Sequence, residues 1–205
     1  DLGYEHQDPH SKRIFDANDW RSFDIQREDI IRSRRAYFAN ISYLDDKVGE
    51  LLGALEATRQ EATVVFVSDH GDMLGERGLW FKMTFFEGSA RVPLMIADAD
   101  MAPGLVKTPV STIDVTATLG ALAGADLSEL SPWTEGQSLV PLGQGGQRSE
   151  PVAMEYAAEG SYAPLVALRD ARYKYVRCTL DPEQLFDLDA DPHELHNLAD
   201  DPAHH

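Results

Sequence analysis

Asp69 and His70 stand side by side at the end of a short apolar run, residues 63–68, and Gly71 follows at once. A carboxylate oxygen and an imidazole nitrogen are both good ligands for a divalent ion. The carboxyl end of a buried strand is where open α/β sheets place their ligands. A glycine there lets the backbone turn without a side chain obstructing the site. Adjacent ligands converge on one ion only if the strand has ended between them, because successive strand side chains point to opposite faces. The pair equally fits a loop cap followed by a polar loop residue, so the dipeptide alone leaves both readings open. Other candidates are weaker. His193 and His196 have His-x-x-His spacing, without the i, i+4 interval of a zincin helix, and point to a surface turn. His6 and His10 are spaced as a helical pair, but Asp8-Pro9 between them argues against a helix. Gly143-Gln144-Gly145-Gly146 has no following Lys-Ser/Thr and reads as a flexible loop, and the sequon Asn40-Ile41-Ser42 falls inside a helix.

The elements that must position these residues follow from hydrophobic periodicity. From about Ile25, the positions Tyr37, Ile41, Leu44, Val48, Leu51, Leu52 and Leu55 recur at intervals of four and three, which predicts a long amphipathic helix. Residues 63–68 and 92–97 are short and continuously apolar, as in strands covered on both faces. A long helix followed by such a strand predicts an α/β layered architecture with a mostly parallel sheet. Between the two runs lies a loop with Gly71, Gly75, Gly78 and Gly88. Ser111-Thr112-Ile113-Asp114 resembles a capping box, opening a helix with Val115, Leu119 and Leu122 on one face and ending at Gly124. Residues 126–149 are rich in Gly, Ser, Gln and Pro and read as a boundary. Beyond them, the runs 151–156, 164–168, 173–176 and 184–188 predict a small antiparallel sheet. The expected organisation is a polar lead-in loop over 1–24, an α/β part over 25–149 and a small α+β appendage over 150–205.

Composition narrows the partners. With 18 Lys+Arg against 35 Asp+Glu, the net charge of -17 would repel a phosphate backbone, which argues against nucleic acid. The apolar runs fall far short of the roughly 20 residues needed to cross a bilayer, so no membrane partner is expected. One cysteine, Cys178, cannot form an internal disulfide; it reads as a half-buried residue beside a strand, and its solitude favours the cytoplasm. The start at Asp1 without Met and the stop at His205 after a turn-like Asp-Asp-Pro read as a segment of something longer.

Several motifs together carry a resemblance. Asp69-His70-Gly71, Gly75, Leu79-Trp80-Phe81-Lys82, Glu87 and Arg91-Val92-Pro93-Leu94 resemble the second metal-ligand segment of the sulfatase family, within the alkaline phosphatase superfamily. Tyr43-Leu44-Asp45-Asp46 resembles the helix that precedes it. Gln184-Leu185-Phe186-Asp187-Leu188, followed by Asp191-Pro192-His193-Glu194 and Asn197-Leu198, resembles the strand and turn closing the family's C-terminal subdomain. Within the family the pattern of residues 69–83 is most similar to choline sulfatases, with His70 where many arylsulfatases place Asn, and residues 154–160 resemble their substrate-recognition segment.

The resemblance implies alkaline-phosphatase-like sulfatase α/β sheet layers, partial, with a small C-terminal antiparallel α+β subdomain. It implies that Asp69 and His70 bind a catalytic divalent ion, with Mn favoured over Ca by the His and Mg also suited. It implies that Lys82 contacts the sulfate and that Glu159 faces the quaternary ammonium of choline, with Tyr156 and Tyr162 nearby. A cation without hydrogen-bond donors should be held by charge and aromatic faces. Lys82 also fits a solvated surface lysine, and Glu155 and Glu159 also fit polar residues around a strand end. Sulfatases use a formylglycine made from the Cys or Ser of a Cys/Ser-x-Pro-x-Arg motif. This sequence holds no such motif, and Cys178-Thr179-Leu180-Asp181-Pro182 does not match it. The expectation is therefore the C-terminal part of a metal-dependent sulfuric ester hydrolase cleaving choline O-sulfate. It would be inactive alone, homo-oligomeric at full length and cytoplasmic in a bacterium. The alternatives are a phosphoester or phosphonate monoester hydrolase of the same superfamily, or a noncatalytic metal-binding fragment.

Overall fold

A computed structural model describes residues 2–126, 128 and 132–204. The expected connection over 126–149 therefore lies partly outside the described residues. In chain order the structure has helix α1 (Pro9–Ala17), the long helix α2 (Arg27–Thr58) and strand β1 (Val64–Val67). A two-stranded hairpin of β2 (Met73–Leu74) and β3 (Trp80–Phe81) follows, then the one-turn helix α3 (Glu87–Ala90) and β4 (Leu94–Ala97). Helix α4 (Ile113–Leu122) and the short α5 (Val140–Gly143) lead to β5 (Val152–Tyr156), β6 (Leu165–Arg169), β7 (Tyr173–Cys178) and β8 (Asp181–Asp187). No helix among the described residues is long and apolar enough to cross a membrane.

The lead-in is not simply a loop. Asp8 caps α1, its carboxylate accepting from Ser11 N at 3.0 Å, and Pro9 occupies the first helical position. Proline is favoured there because its missing N–H would have had no intrahelical partner. The Asp-Pro pair that argued against a helix is thus the signal that starts one, and it places His10 inside α1, whereas His6 belongs to a separate 3₁₀ turn. Helix α2 agrees with its periodicity, and Gln26 and Asp29 form its capping box.

The expected parallel pairing is corrected. β1 and β4 run antiparallel, Val64 opposite Ala97 and Val67 opposite Leu94. The physical reason lies in the connection: residues 68–93 hold a hairpin and one helical turn, which bring the chain back beside the end of β1, and no crossover helix that would carry it to the start of that strand for a parallel return. Nor are these strands covered on both faces, since Val67 is 39% and Met95 58% exposed, and α2 buries none of its residues. The apolar pattern marks faces suited to burial; burial itself needs a neighbour in the same chain or assembly.

The core sits instead where α1, the 70–90 segment and the C-terminal sheet meet. Ile14, Trp20, Met73, Leu79, Phe86 and Phe186 form one buried cluster. Leu165, Ala167, Val176 and Cys178 form another, flanked by Phe85, Met154 and Tyr156. Burying each large apolar side chain contributes about 1.5–3 kcal/mol. The second cluster belongs to the sheet β5-β6-β7-β8, an antiparallel meander as the turn spacing predicts. Asp114 begins α4 by accepting from Ser111 N at 2.8 Å, and it anchors the following segment through Gln137 N and Arg148.

Candidate active site

Strand β1 ends at Val67, and the next residues turn under tight restraint. Ser68 Oγ donates to His70 O at 2.8 Å, and Gly71 N donates to Ser89 O at 2.8 Å. A Cβ on Gly71 would lie 2.2 Å from the carbonyl oxygen of Gly88. Glycine is required here for close approach of two backbones. That contact fixes the Asp69-His70 turn against the segment carrying Lys82.

His70 Nδ1 lies 2.9 Å from Gly71 O, while Nε2 faces Lys82 Nζ at 2.9 Å and Asp69 Oδ2 at 3.4 Å. An ammonium only donates and a carbonyl only accepts. The contacts therefore assign the proton to Nδ1 and leave the Nε2 lone pair accepting from the Lys82 ammonium, on the side where Asp69 Oδ2 also lies. The Asp69 carboxyl is held below its usual range, chiefly by the backbone N–H of His70, with the Lys82 ammonium contributing. The spacing of Oδ2 and Nε2 lets both reach one ion, given bond lengths of about 2.0–2.2 Å. Among the described residues no cluster of three or more His, Cys, Asp or Glu forms a complete ion site. The two donors fit a divalent ion as part of its ligand set.

Lys82 follows Phe81, whose φ of 62° is left-handed for a residue with a bulky side chain. Such strain persists only where the surroundings enforce it, and here they do: Lys82 O accepts from Ser89 Oγ at 2.7 Å and from Thr84 N. The turn is thus pinned on the far side of the lysine while its ammonium reaches His70.

At the end of β5, Tyr156 Oη donates to Glu159, 3.1 Å from both Oε2 and the main-chain oxygen. Burial, then the Glu159 carboxylate, pushes the Tyr156 phenol up to about 12. Glu159 is held below the usual carboxylate range by its own backbone N–H, then by Tyr156, with Lys82 contributing. Lys82 is thus near enough to act on the Glu159 carboxylate through charge, although the two share no hydrogen bond. Tyr162 is 75% exposed, and the Arg13 guanidinium covers its ring at 4.4 Å from the centroid. The structure thus brings Asp69, His70 and Lys82 together, pairs Tyr156 with Glu159, and turns Tyr162 towards Arg13.

Sequence reasoning missed the residues that hold this arrangement from behind. Lys174, Glu194 and Glu87 form an ion cluster under the 82–87 segment, with Lys174 Nζ 2.8 Å from Glu194 and 2.6 Å from Glu87. The signal was available: in β7, Lys174 shares the inward phase of Val176 and Cys178. Arg13 forms a two-pronged pair with Asp181 and also donates to Gly160 O.

This chain belongs to the sulfatase family. The family profile described as Sulfatase matches residues 3–125, and one described as N-sulphoglucosamine sulphohydrolase, C-terminal, matches residues 75–205. The chain is 64% identical to a choline-sulfatase of Rhizobium meliloti (strain 1021), over 97% of this chain and 39% of that protein. It is 33% identical to arylsulfatase K of Gallus gallus, over 86% of this chain and 35% of the relative. The fold matches the phosphonate monoester hydrolase of Agrobacterium radiobacter with a TM-score of 0.76 at 28% identity, over 88% of this chain and 40% of that one. The chain thus spans well under half the length of these relatives.

Proposed function

We propose that this chain is the C-terminal part of a metal-dependent sulfuric ester hydrolase that cleaves choline O-sulfate to choline and sulfate. The observation that carries this reading is one site with two oppositely charged ends. Lys82 and the donor pair Asp69 and His70 form the end for an anion and its ion. Glu159, kept ionised beside Tyr156, forms the end for a cation. Choline O-sulfate is a zwitterion, and the 64% identity to a choline-sulfatase supports the same substrate.

In this reading Asp69 and His70 hold the divalent ion, Mn or Ca, with Mg also suited to the donors. Bound there, the ion would stabilise negative charge on the sulfuryl oxygens as a Lewis acid. Lys82 donates to the same oxygens and strengthens that interaction as charge develops on the ester oxygen. Glu159 balances the trimethylammonium charge, and Tyr156 orients the carboxylate through its hydroxyl. The nucleophile, a formylglycine, comes from a part of the enzyme outside this sequence. The fold match to a phosphonate monoester hydrolase favours, as the second reading, a phosphonate or phosphoester hydrolase using the same anion end.

Steady-state turnover of choline O-sulfate, an aryl sulfate and an aryl phosphonate monoester by the complete enzyme separates the two, with metal content measured in parallel. The first reading expects kcat/KM highest for choline O-sulfate. It also expects Glu159→Gln to lower that value by about tenfold, the scale of one cation contact, while sparing the aryl sulfate. A preference for the phosphonate would replace it.

A further inference from the structure

His10 lies in the first turn of α1, far in sequence from every residue of the candidate site, and is 3% exposed. Three contacts define its place. Nε2 is 2.8 Å from the carbonyl oxygen of Met83, the residue after Lys82. Nδ1 is 3.2 Å from the carbonyl oxygen of Gly160, the residue after Glu159. The ring meets the edge of Tyr156 at 5.5 Å between centroids, with an interplanar angle of 72°. A carbonyl oxygen only accepts and a neutral imidazole carries one N–H, so the ring donates to one of these carbonyls, the Met83 contact being the shorter, and packs its other nitrogen edge against the second. One buried ring therefore spans the segment behind the lysine, the turn behind the carboxylate, and the tyrosine that orients the carboxylate.

The turn is shaped for this partner. Gly160 has a φ of 78°, and a Cβ there would lie 2.9 Å from Ile14 Cγ1 and 3.4 Å from His10 Cε1. Helix α1 thus packs directly on the Gly160 backbone, and Arg13 adds its own bond to the same carbonyl. The two ends of the span differ in their other supports. The carbonyl of Lys82 is also held by Ser89 and Thr84. The 159–160 turn depends on α1 more heavily, through His10, Arg13 and Ile14.

We propose that His10 is a positioning residue for substrate selection: it sets the separation between the anion-binding Lys82 and the cation-binding Glu159, and so tunes the enzyme to a zwitterion of fixed length. The inference rests on the reading of Glu159 as the choline carboxylate. His10 does not touch the substrate; it acts through the backbone on either side of the site.

A double-mutant cycle in the complete enzyme tests it, with His10→Phe, Glu159→Gln and the double variant assayed on choline O-sulfate and an aryl sulfate. Phenylalanine keeps a ring against Tyr156 and removes both ring nitrogens. The expected result is a fall in kcat/KM for choline O-sulfate of about tenfold with His10→Phe, carried mainly by KM, and a fall of less than about threefold for the aryl sulfate. In the Glu159→Gln background, the further effect of His10→Phe on choline O-sulfate should shrink to about twofold or less, because residues acting through one another are not additive. Equal losses on both substrates, or additive losses in the double variant, would overturn the proposal while leaving Glu159 as the choline carboxylate. If Glu159→Gln itself fails to discriminate, the reading beneath the proposal falls, and the proposal with it. Should His10→Phe not fold, His10→Gln, which retains N–H donors, should show the same preference with a smaller loss; no substrate preference in that variant counts against the proposal.

Discussion

Replacing Lys174 by methionine tests how the active-site segment is held. Lys174 is fully buried, and its ammonium has three acceptors: Phe85 O at 2.7 Å, Glu194 Oε1 at 2.8 Å and Glu87 Oε1 at 2.6 Å. Glu194 Oε2 in turn accepts from Glu87 N at 2.7 Å, which joins the cluster to the segment that follows Lys82. Methionine preserves the volume of the lysine stem and deletes the charge, so Glu194 is left as a buried, unpaired carboxylate. Breaking a buried pair in this way costs about 3–5 kcal/mol. The cost depends on pH in a defined direction. Burial raises the Glu194 carboxyl above its ordinary value while Lys174 opposes the rise, so Lys174→Met lifts it further. A raised acid contributes stability that is complete below the unfolded value, near 4.3, and is lost as pH climbs through the folded one. The variant should therefore be closest to the parent near pH 5 and fall furthest behind at pH 8. Equilibrium guanidinium unfolding of the complete enzyme, followed by tryptophan fluorescence, measures this, because Trp20 is buried in the adjoining cluster with Phe86 and Phe186. A loss below about 1 kcal/mol at pH 8, or a loss that is flat between the two pH values, would refute the reasoning. The double variant Lys174→Met, Glu194→Gln should recover part of the stability and abolish the pH dependence.

Two further perturbations probe the site turn and the closing sheet. Gly71→Ala forces a Cβ against Gly88 O, so activity should drop at least about a hundredfold, the scale of a misplaced catalytic group; near-parental kcat/KM would deny the close backbone approach any role. Arg172 holds the Asp187 carboxyl down to about 2 through a two-pronged contact. A depressed acid stabilises above its ordinary value and loses that contribution as pH falls towards the folded one. Arg172→Gln should therefore move the acid-unfolding midpoint, followed by circular dichroism, to higher pH; an unchanged midpoint would show that the pair does not govern acid stability.

Much of the local structure could be read from the sequence because it depends on neighbours in sequence. The period of α2, the α4 entry at Ser111 and Asp114, and the short runs that became β5 to β8 are of this kind. So was the placing of Asp69 and His70 just past the end of β1, where an apolar run gives way to a glycine. The sequence did not disclose direction or distance. An apolar run such as residues 64–67 looks the same in a parallel or an antiparallel pair, and only the folding of residues 68–93 into a hairpin and one helical turn brought β4 back along β1 from the end of that strand. The α1 start was written in Asp8-Pro9, but its purpose was not, since His10 acquires its role from carbonyl groups more than seventy residues away.

What the sequence by itself determined is the type of each group in the candidate site and the local shape that presents it. Residue type sets chemistry, and period and capping set local conformation. Only the tertiary structure decided that Lys82 meets His70, that Glu159 leans on Tyr156, and that a buried ion cluster and one histidine hold these groups in register. Those relations depend on long-range packing, in which a contact is fixed by the whole arrangement of elements and by no single segment.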